Sequence, residues 1–218
     1  MTKTTRRRVW GIVLALFLLL LTASLYHFGV IPHRSYDSAR FGIDVYHSAV
    51  DRDGDGVDDQ TDLLTGVRQY IATKPVYKSK YYTGGYPDDQ YGVCTDVVAQ
   101  GCLAAGYDLM TLVNEDVHED PAAYDIDTPD DNIDFRRVEN LNVYFQRHAV
   151  TLTADIRQTD QWQGGDIVVF RRHIGIISDR RNKDGVPFLI HHGSPWQLRY
   201  EEDTLAIRSD VVAHYRLT

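Results

Sequence analysis

The sequence predicts an α+β domain carried behind one apolar helix, on three observations. An eighteen-residue run without charge, "VWGIVLALFLLLLTASLY", follows a basic tip. Segments with apolar residues at helical spacing occupy the middle of the chain. Short β-rich runs broken by turn residues, "GDIVVF", "HIGIISD" and "VPFLIHH", occupy the last third.

Residues 1–8 carry Lys3, Arg6, Arg7 and Arg8 ahead of the apolar run at 9–28. That run is long enough to cross a hydrocarbon core, and the positive-inside rule keeps the basic tip in the cytoplasm. The expectation is a single-pass signal-anchor in the cytoplasmic membrane with the rest of the chain outside. The small residues of "LTAS" also fit a cleaved signal peptide, which would release a secreted domain. The net charge is −8 in spite of the basic tip. The exported part is therefore acidic, which argues against a nucleic-acid partner.

Residues 29–45 read as a tether and 46–218 as the folded domain. Near its start, "DRDGDGVDDQTD" (51–62) sets Asp51, Asp53, Asp55, Asp59 and Asp62 at positions 1, 3, 5, 9 and 12, with Gly56 at the sixth. This is the EF-hand spacing for a hard cation, with Val57 offering its main-chain carbonyl. The expected cofactor is one structural Ca2+, bound with modest affinity because Asp replaces the usual bidentate Glu at the last position.

"TDLLTGVRQYIA" (61–72) reads as a helix with Thr61 as N-cap. A second helix is expected at 94–106, with Val97, Val98, Leu103 and Ala104 inward and its end near Gly106. The acidic, Pro-containing stretch 114–134 reads as a long surface loop. A third amphipathic helix is expected at 136–149. Strands follow at 165–170, 173–179 and 186–192, with "VVAHYRL" closing the sheet.

The two cysteines, Cys94 and Cys102, stand eight residues apart in one expected helix. Their α-carbons would be about 12 Å apart, too far for a disulfide. Cys102 falls within the apolar pattern and reads as core. Cys94 sits instead at the hinge between "YYTGGYPDDQYGV" and the helix, where main-chain N–H groups favour a thiolate. A base is also needed. His173 opens an apolar strand, with Gly175 leaving room on the same face. His191 and His192 face opposite sides of the next strand, so that one of them can reach His173 and orient it. Asp96 would oppose a thiolate if it faced Cys94, so it is expected to turn away towards Arg136 or Arg137.

"GVCTDV", "WQGGDIVVF", "HIGIISD" and "FLIHHG", taken in order, resemble the NlpC-type cell-wall peptidases of the papain superfamily. With "GGYP", "NIDFRRVENL" and "AHYR" added, the chain looks closer still to the bacterial domain of unknown function 1287, over roughly residues 62 to 216. The resemblance implies a papain-like fold whose cysteine-bearing helix packs on an antiparallel sheet. It implies Cys94 as nucleophile, His173 as base and His191 as orienting residue, with His192 taking that place if the register is one off. Tyr81 matches a tyrosine that could help hold the substrate carbonyl. Val93, Thr95-Asp96 and Thr83 depart from the wider family's pattern, which bears on the substrate rather than on the chemistry. The activity implied is that of a cysteine amidase or endopeptidase acting on peptidoglycan stem peptides, with no metal needed for the chemistry. A calcium-dependent, non-catalytic wall- or protein-binding module and an acyltransferase are the alternatives. Tyr81, Tyr82, Tyr86, Tyr91 and Tyr124 are either groove lining or loop packing.

Overall fold

Lys3–His27 forms one helix, α1, in the computed structural model, which describes residues 3–27 and 29–218. It is long and apolar enough to span a membrane. Met1, Thr2 and Phe28, at the ends of the expected tip and span, lie outside the described residues.

The chain divides into two compact units, Met1–Arg34 and Ser35–Thr218. The second begins ten residues before the expected end of the tether. Tyr36 bridges to Arg181, Ser38 accepts from the Arg181 guanidinium at 2.9 Å, and both Ser38 and Ile43 are buried. Residues 35–45 are therefore part of the domain's wall, a correction to the tether. Composition could not reveal this, because the packing depends on a partner far along the chain.

In the domain, α2 (Asp59–Ala72) starts two residues earlier than the expected helix. Its N-cap is Asp58, whose carboxylate accepts from both the N–H and the hydroxyl of Thr61. Thr61 is thus the residue capped, not the cap. Next come the short parallel pair β1 (Val76–Tyr77) and β2 (Tyr91–Gly92), then α3 (Cys94–Ala104). Val97, Val98 and Cys102 are fully buried on α3, but Leu103 and Ala104 face outward. Gly106 follows in the left-handed region, at φ 78°, which ends the helix.

The first half of the expected loop at 114–134 is helical, and the stretch from Asp125 to Ile133 is loop. The helix α4 (Leu109–Glu119) buries Leu109, Val113 and Val117 at helical spacing, and a 3-10 turn at Pro121–Tyr124 follows. Acidic residues are paired within the fold: Asp116 accepts from Tyr124 and Arg147, and the Asp131 carboxylate meets His118 Nε2 at 2.8 Å. Composition suggested solvent, but three apolar residues on one face decide the fold. The third expected helix is α5 (Val138–His148).

The sheet is antiparallel and six-stranded, in the order β3-β8-β4-β5-β6-β7. Its strands are β3 (Val150–Thr151), β4 (Ile167–Phe170), β5 (His173–Arg181), β6 (Pro187–Ile190), β7 (Glu201–Glu202) and β8 (Val211–Arg216). β4 is buried on both faces, which explains its unbroken apolar run. Ile167 and Val169 meet the helices α2 to α5, whereas Val168 and Phe170 join Trp162, Ile177, Leu189 and Leu205 behind the sheet. The chain is thus α+β, with α3 packed on β5.

Candidate active site

Cys94 is the first residue of α3. Val93 precedes it in extended conformation and donates its N–H to Asp96 Oδ2 at 2.8 Å. Asp96 is engaged by Arg136, yet its charge still adds to the upward push on the Cys94 thiol. Its oxygens take Arg136 Nε at 2.7 Å and Nη2 at 3.0 Å, and the two side chains are 0% and 1% exposed. Between the two expected partners the fold selects Arg136; Arg137 lies largely in solvent. Arg136 also donates to the Lys80 carbonyl at 2.8 Å and lies over the Tyr82 ring, tying the Tyr-rich loop to the start of α3.

The main-chain N–H of Ile174, the residue after His173 on β5, is close enough to the Cys94 thiol to favour its thiolate. His173 Nε2 in turn lies 2.8 Å from His191 Nδ1, with the rings edge to face at 4.9 Å between centroids. Which of the two nitrogens donates depends on the tautomers of the rings. The approach of His191 depends on Gly175. A Cβ there would stand 2.9 Å from the Ile190 carbonyl and 3.2 Å from His191 Cβ. Gly175→Ala should therefore push β6 outward and separate the two rings, lengthening the Nε2–Nδ1 contact in a crystal structure of the variant.

The electrostatics correct one expectation. Burial pushes the Cys94 thiol up to about 11, outweighing the main-chain N–H groups of Ile174 and Thr95 that favour the thiolate. Burial also lowers His173 to about 3, with His191 and Arg208 adding to the effect. At neutral pH the two groups are a thiol and a neutral imidazole.

The same shifts set a stability window. His173 falls from 6.5 to about 3 in the fold, so the unfolded chain binds the extra proton and stability declines as pH drops from 6.5 towards 3. Cys94 rises from 9.0 to about 11, so its contribution is intact below 9 and is lost as pH climbs towards 11. His173→Asn should flatten the acid limb of a denaturant-midpoint-against-pH curve, and Cys94→Ala the alkaline limb.

His192 is held edge-on between Tyr77 and Tyr200 at 5.1 and 5.0 Å, its ring also lowered by burial. The Tyr81 hydroxyl is engaged by Asp130 and Asn132 at 3.2 Å. Tyr82, Tyr86 and Tyr124 bond Asp89, Asp108 and Asp116, so these three hydroxyls serve loop packing.

Two features escaped sequence reasoning. Phe170 stacks on His173 at 5.9 Å and carries the Arg208 guanidinium on its ring at 4.0 Å. No spacing rule links 170 to 208. In addition, Asp166 of "GDIV" accepts from Gln60, His214 and Arg216 inside the domain, and Trp162 stacks on His214 at 3.8 Å. This network joins "WQGGD" to "AHYR" and fixes the start of β4.

In the acidic loop, Asp51, Asp53 and Asp55 bring one carboxylate oxygen each to within 4.8 Å of one another. Burial raises the Asp62 carboxyl, and the charges of Asp55, Asp53 and Asp51 add to this, so Asp62 feels the cluster while lying outside its 4.8 Å group. Asp59 does not. It is buried, accepts from Arg52 N–H at 2.7 Å and from the Tyr107 hydroxyl at 2.6 Å, and so leaves the expected ligand set. The cause is its place as first residue of α2. Val57 is exposed, and its N–H donates to Asp55.

Comparison with known proteins returns a family described as Domain of unknown function (DUF1287), which matches residues 64–217. The uncharacterized protein YijF of Escherichia coli strain K12 is 38% identical over 168 residues, covering 71% of this chain and 80% of the relative. No solved structure matches the chain. The matched span contains Cys94, Asp96, Arg136, Asp166, His173, His191 and His214, while the acidic loop lies before it. On the extent of this match, the chain belongs to the DUF1287 family.

Proposed function

We propose that the chain is a cysteine hydrolase of papain-like type, an amidase or endopeptidase, held at the outer face of the cytoplasmic membrane by α1. The substrate class is amide bonds in peptidoglycan stem peptides. The observation that carries the reading is the His173 Nε2–His191 Nδ1 contact of 2.8 Å, on the strand whose next N–H lies close to the Cys94 thiol. A nucleophile at a helix start, a base and a group that orients the base are the parts acyl transfer needs. Cys94 attacks the amide carbon as its proton passes to His173 Nδ1. The first-turn N–H groups of α3 meet the developing oxyanion, and His173 then protonates the leaving amine. Water releases the acyl group. The substrate class rests on the resemblance and on the outer-membrane-face location that α1 would give, with the basic tip inside.

One observation favours the binding-module alternative: at rest the thiol is protonated and the imidazole neutral. Intact-protein mass spectrometry on the full-length protein in detergent, quenched during reaction with p-nitrophenyl acetate, separates the two. The hydrolase reading expects the mass of one acetyl group added to the wild type, and none added to Cys94→Ala. A wild type that stays unacylated overturns it.

Structural calcium is proposed on a reduced ligand set, Asp51, Asp53, Asp55 and Asp62 with the Val57 carbonyl. Clustered carboxylates are relieved of repulsion by a hard cation. Calcium titrated into the full-length protein should release heat and raise the melting temperature, and Asp53→Ala should remove both effects. Asp59→Ala should leave the calcium heat in place.

A further inference from the structure

His191 has two ring nitrogens to satisfy and, when neutral, one proton. Nδ1 stands 2.8 Å from His173 Nε2. Nε2 is buried and has no hydrogen bond among the described residues, yet Glu202 Oε2 lies 3.7 Å from it. A neutral imidazole donates from one nitrogen and accepts at the other, so the two rings must run head to tail. If His191 Nδ1–H donates, His173 carries its own proton on Nδ1 and has no lone pair there for the thiol's proton. If His173 Nε2–H donates, Nδ1 is free, and His191 must hold its proton on Nε2, aimed at Glu202.

We propose that Glu202 is a positioning residue of the Cys94 site: its carboxylate holds the His191 proton on Nε2 and thereby keeps His173 in the tautomer that can act as a base. The proposal rests on the hydrolase reading above. The fold places the carboxylate for this task. β7 pairs with β6, Leu189 opposite Glu202 and Ile190 opposite Glu201. Adjacent strand residues face opposite sides of a sheet. Glu201 accordingly takes Ser178, Arg68 and Arg180, while Glu202 turns to His191. Its Oε1 accepts the Arg199 main-chain N–H at 3.3 Å, leaving Oε2 for the ring. A negative charge at this distance favours the nearer N–H without requiring a full hydrogen bond.

The test reads the rings directly. Long-range 1H–15N correlation spectra of histidine-labelled, full-length protein in detergent micelles report which nitrogen of His191 carries hydrogen. The expected wild-type result is Nε2–H with a bare Nδ1, and Glu202→Ala should show a shift towards Nδ1–H. Acylation of Cys94 by p-nitrophenyl acetate should fall roughly ten- to hundredfold with it, as when outer partners of ligating histidines are removed at metal sites. Glu202→Gln, which keeps an acceptor without the charge, should recover part of the rate. Nδ1–H on wild-type His191 overturns the proposal, as does an Nε2–H tautomer unchanged in both variants. Should Glu202→Ala fail to fold, the wild-type spectrum and the Gln variant decide. A wild type that is never acylated discards the hydrolase reading, and the spectra still decide whether Glu202 holds His191.

Discussion

Arg136→Ala is expected to destabilise the Ser35–Thr218 domain by about 3–5 kcal/mol, the usual cost of breaking a buried ion pair by removing one partner. The reason lies in where the two groups sit. Asp96 and Arg136 are 0% and 1% exposed, and the guanidinium meets the carboxylate through two nitrogens. Deleting Arg136 strands a carboxylate in the first turn of the cysteine-bearing helix, where only the Val93 N–H remains to it. Arg136→Lys should recover little, because an ammonium cannot supply both donors in that plane. Denaturant titration of the single and double variants measures this. Asp96→Ala with Arg136→Ala should be milder than the two single losses added together, by at least about 1 kcal/mol of coupling. Additivity would mean that the pair is not a unit. The Lys80 carbonyl also loses its donor, so the Tyr-rich loop should exchange its amide hydrogens faster.

His173→Ala is expected to lower kcat/KM by about 10²–10⁴, the range for loss of a positioned base. Two shifts bear on the reaction. The thiol is held up at about 11, so little thiolate exists at neutral pH without a proton acceptor. His173 is lowered to about 3, so it is unprotonated across the neutral range and takes the proton only as the carbon–sulfur bond forms. Activity should accordingly show no acid loss between pH 5 and 8 from this group, in contrast with an ion-pair mechanism, which needs the imidazolium at rest. A pH-rate profile of wild type against His173→Ala distinguishes them. His191→Ala should cost less than His173→Ala, because it orients the base and does not itself move the proton.

Much of this arrangement was legible in residue order. Period-3.6 segments, then β-rich runs, gave α+β, and Cys94 at a loop-to-helix hinge singled out the start of α3. His173 and His191 are brought together because β5 and β6 are neighbours, which short connections between β-rich runs already suggested. What stayed hidden was long-range or electrostatic. Residues 35–45 read as a tether because their partner, Arg181, lies far along the chain. α4 read as a loop because its Asp116 is matched by Tyr124 and Arg147, pairings that composition does not register. Asp59 fitted a ligand spacing, yet helix initiation turned it inward onto Tyr107. The thiol's direction of shift was misread because sequence displays the helix terminus but not the depth of burial.

The most direct measurement is the release of new peptides, by mass spectrometry, from purified peptidoglycan fragments treated with the full-length protein in detergent, beside Cys94→Ala. The account predicts fragments with a newly exposed amine and carboxylate from the wild type alone, which would also name the bond. The same fragments released by both proteins, or no cleavage by a wild type that is folded, would contradict it.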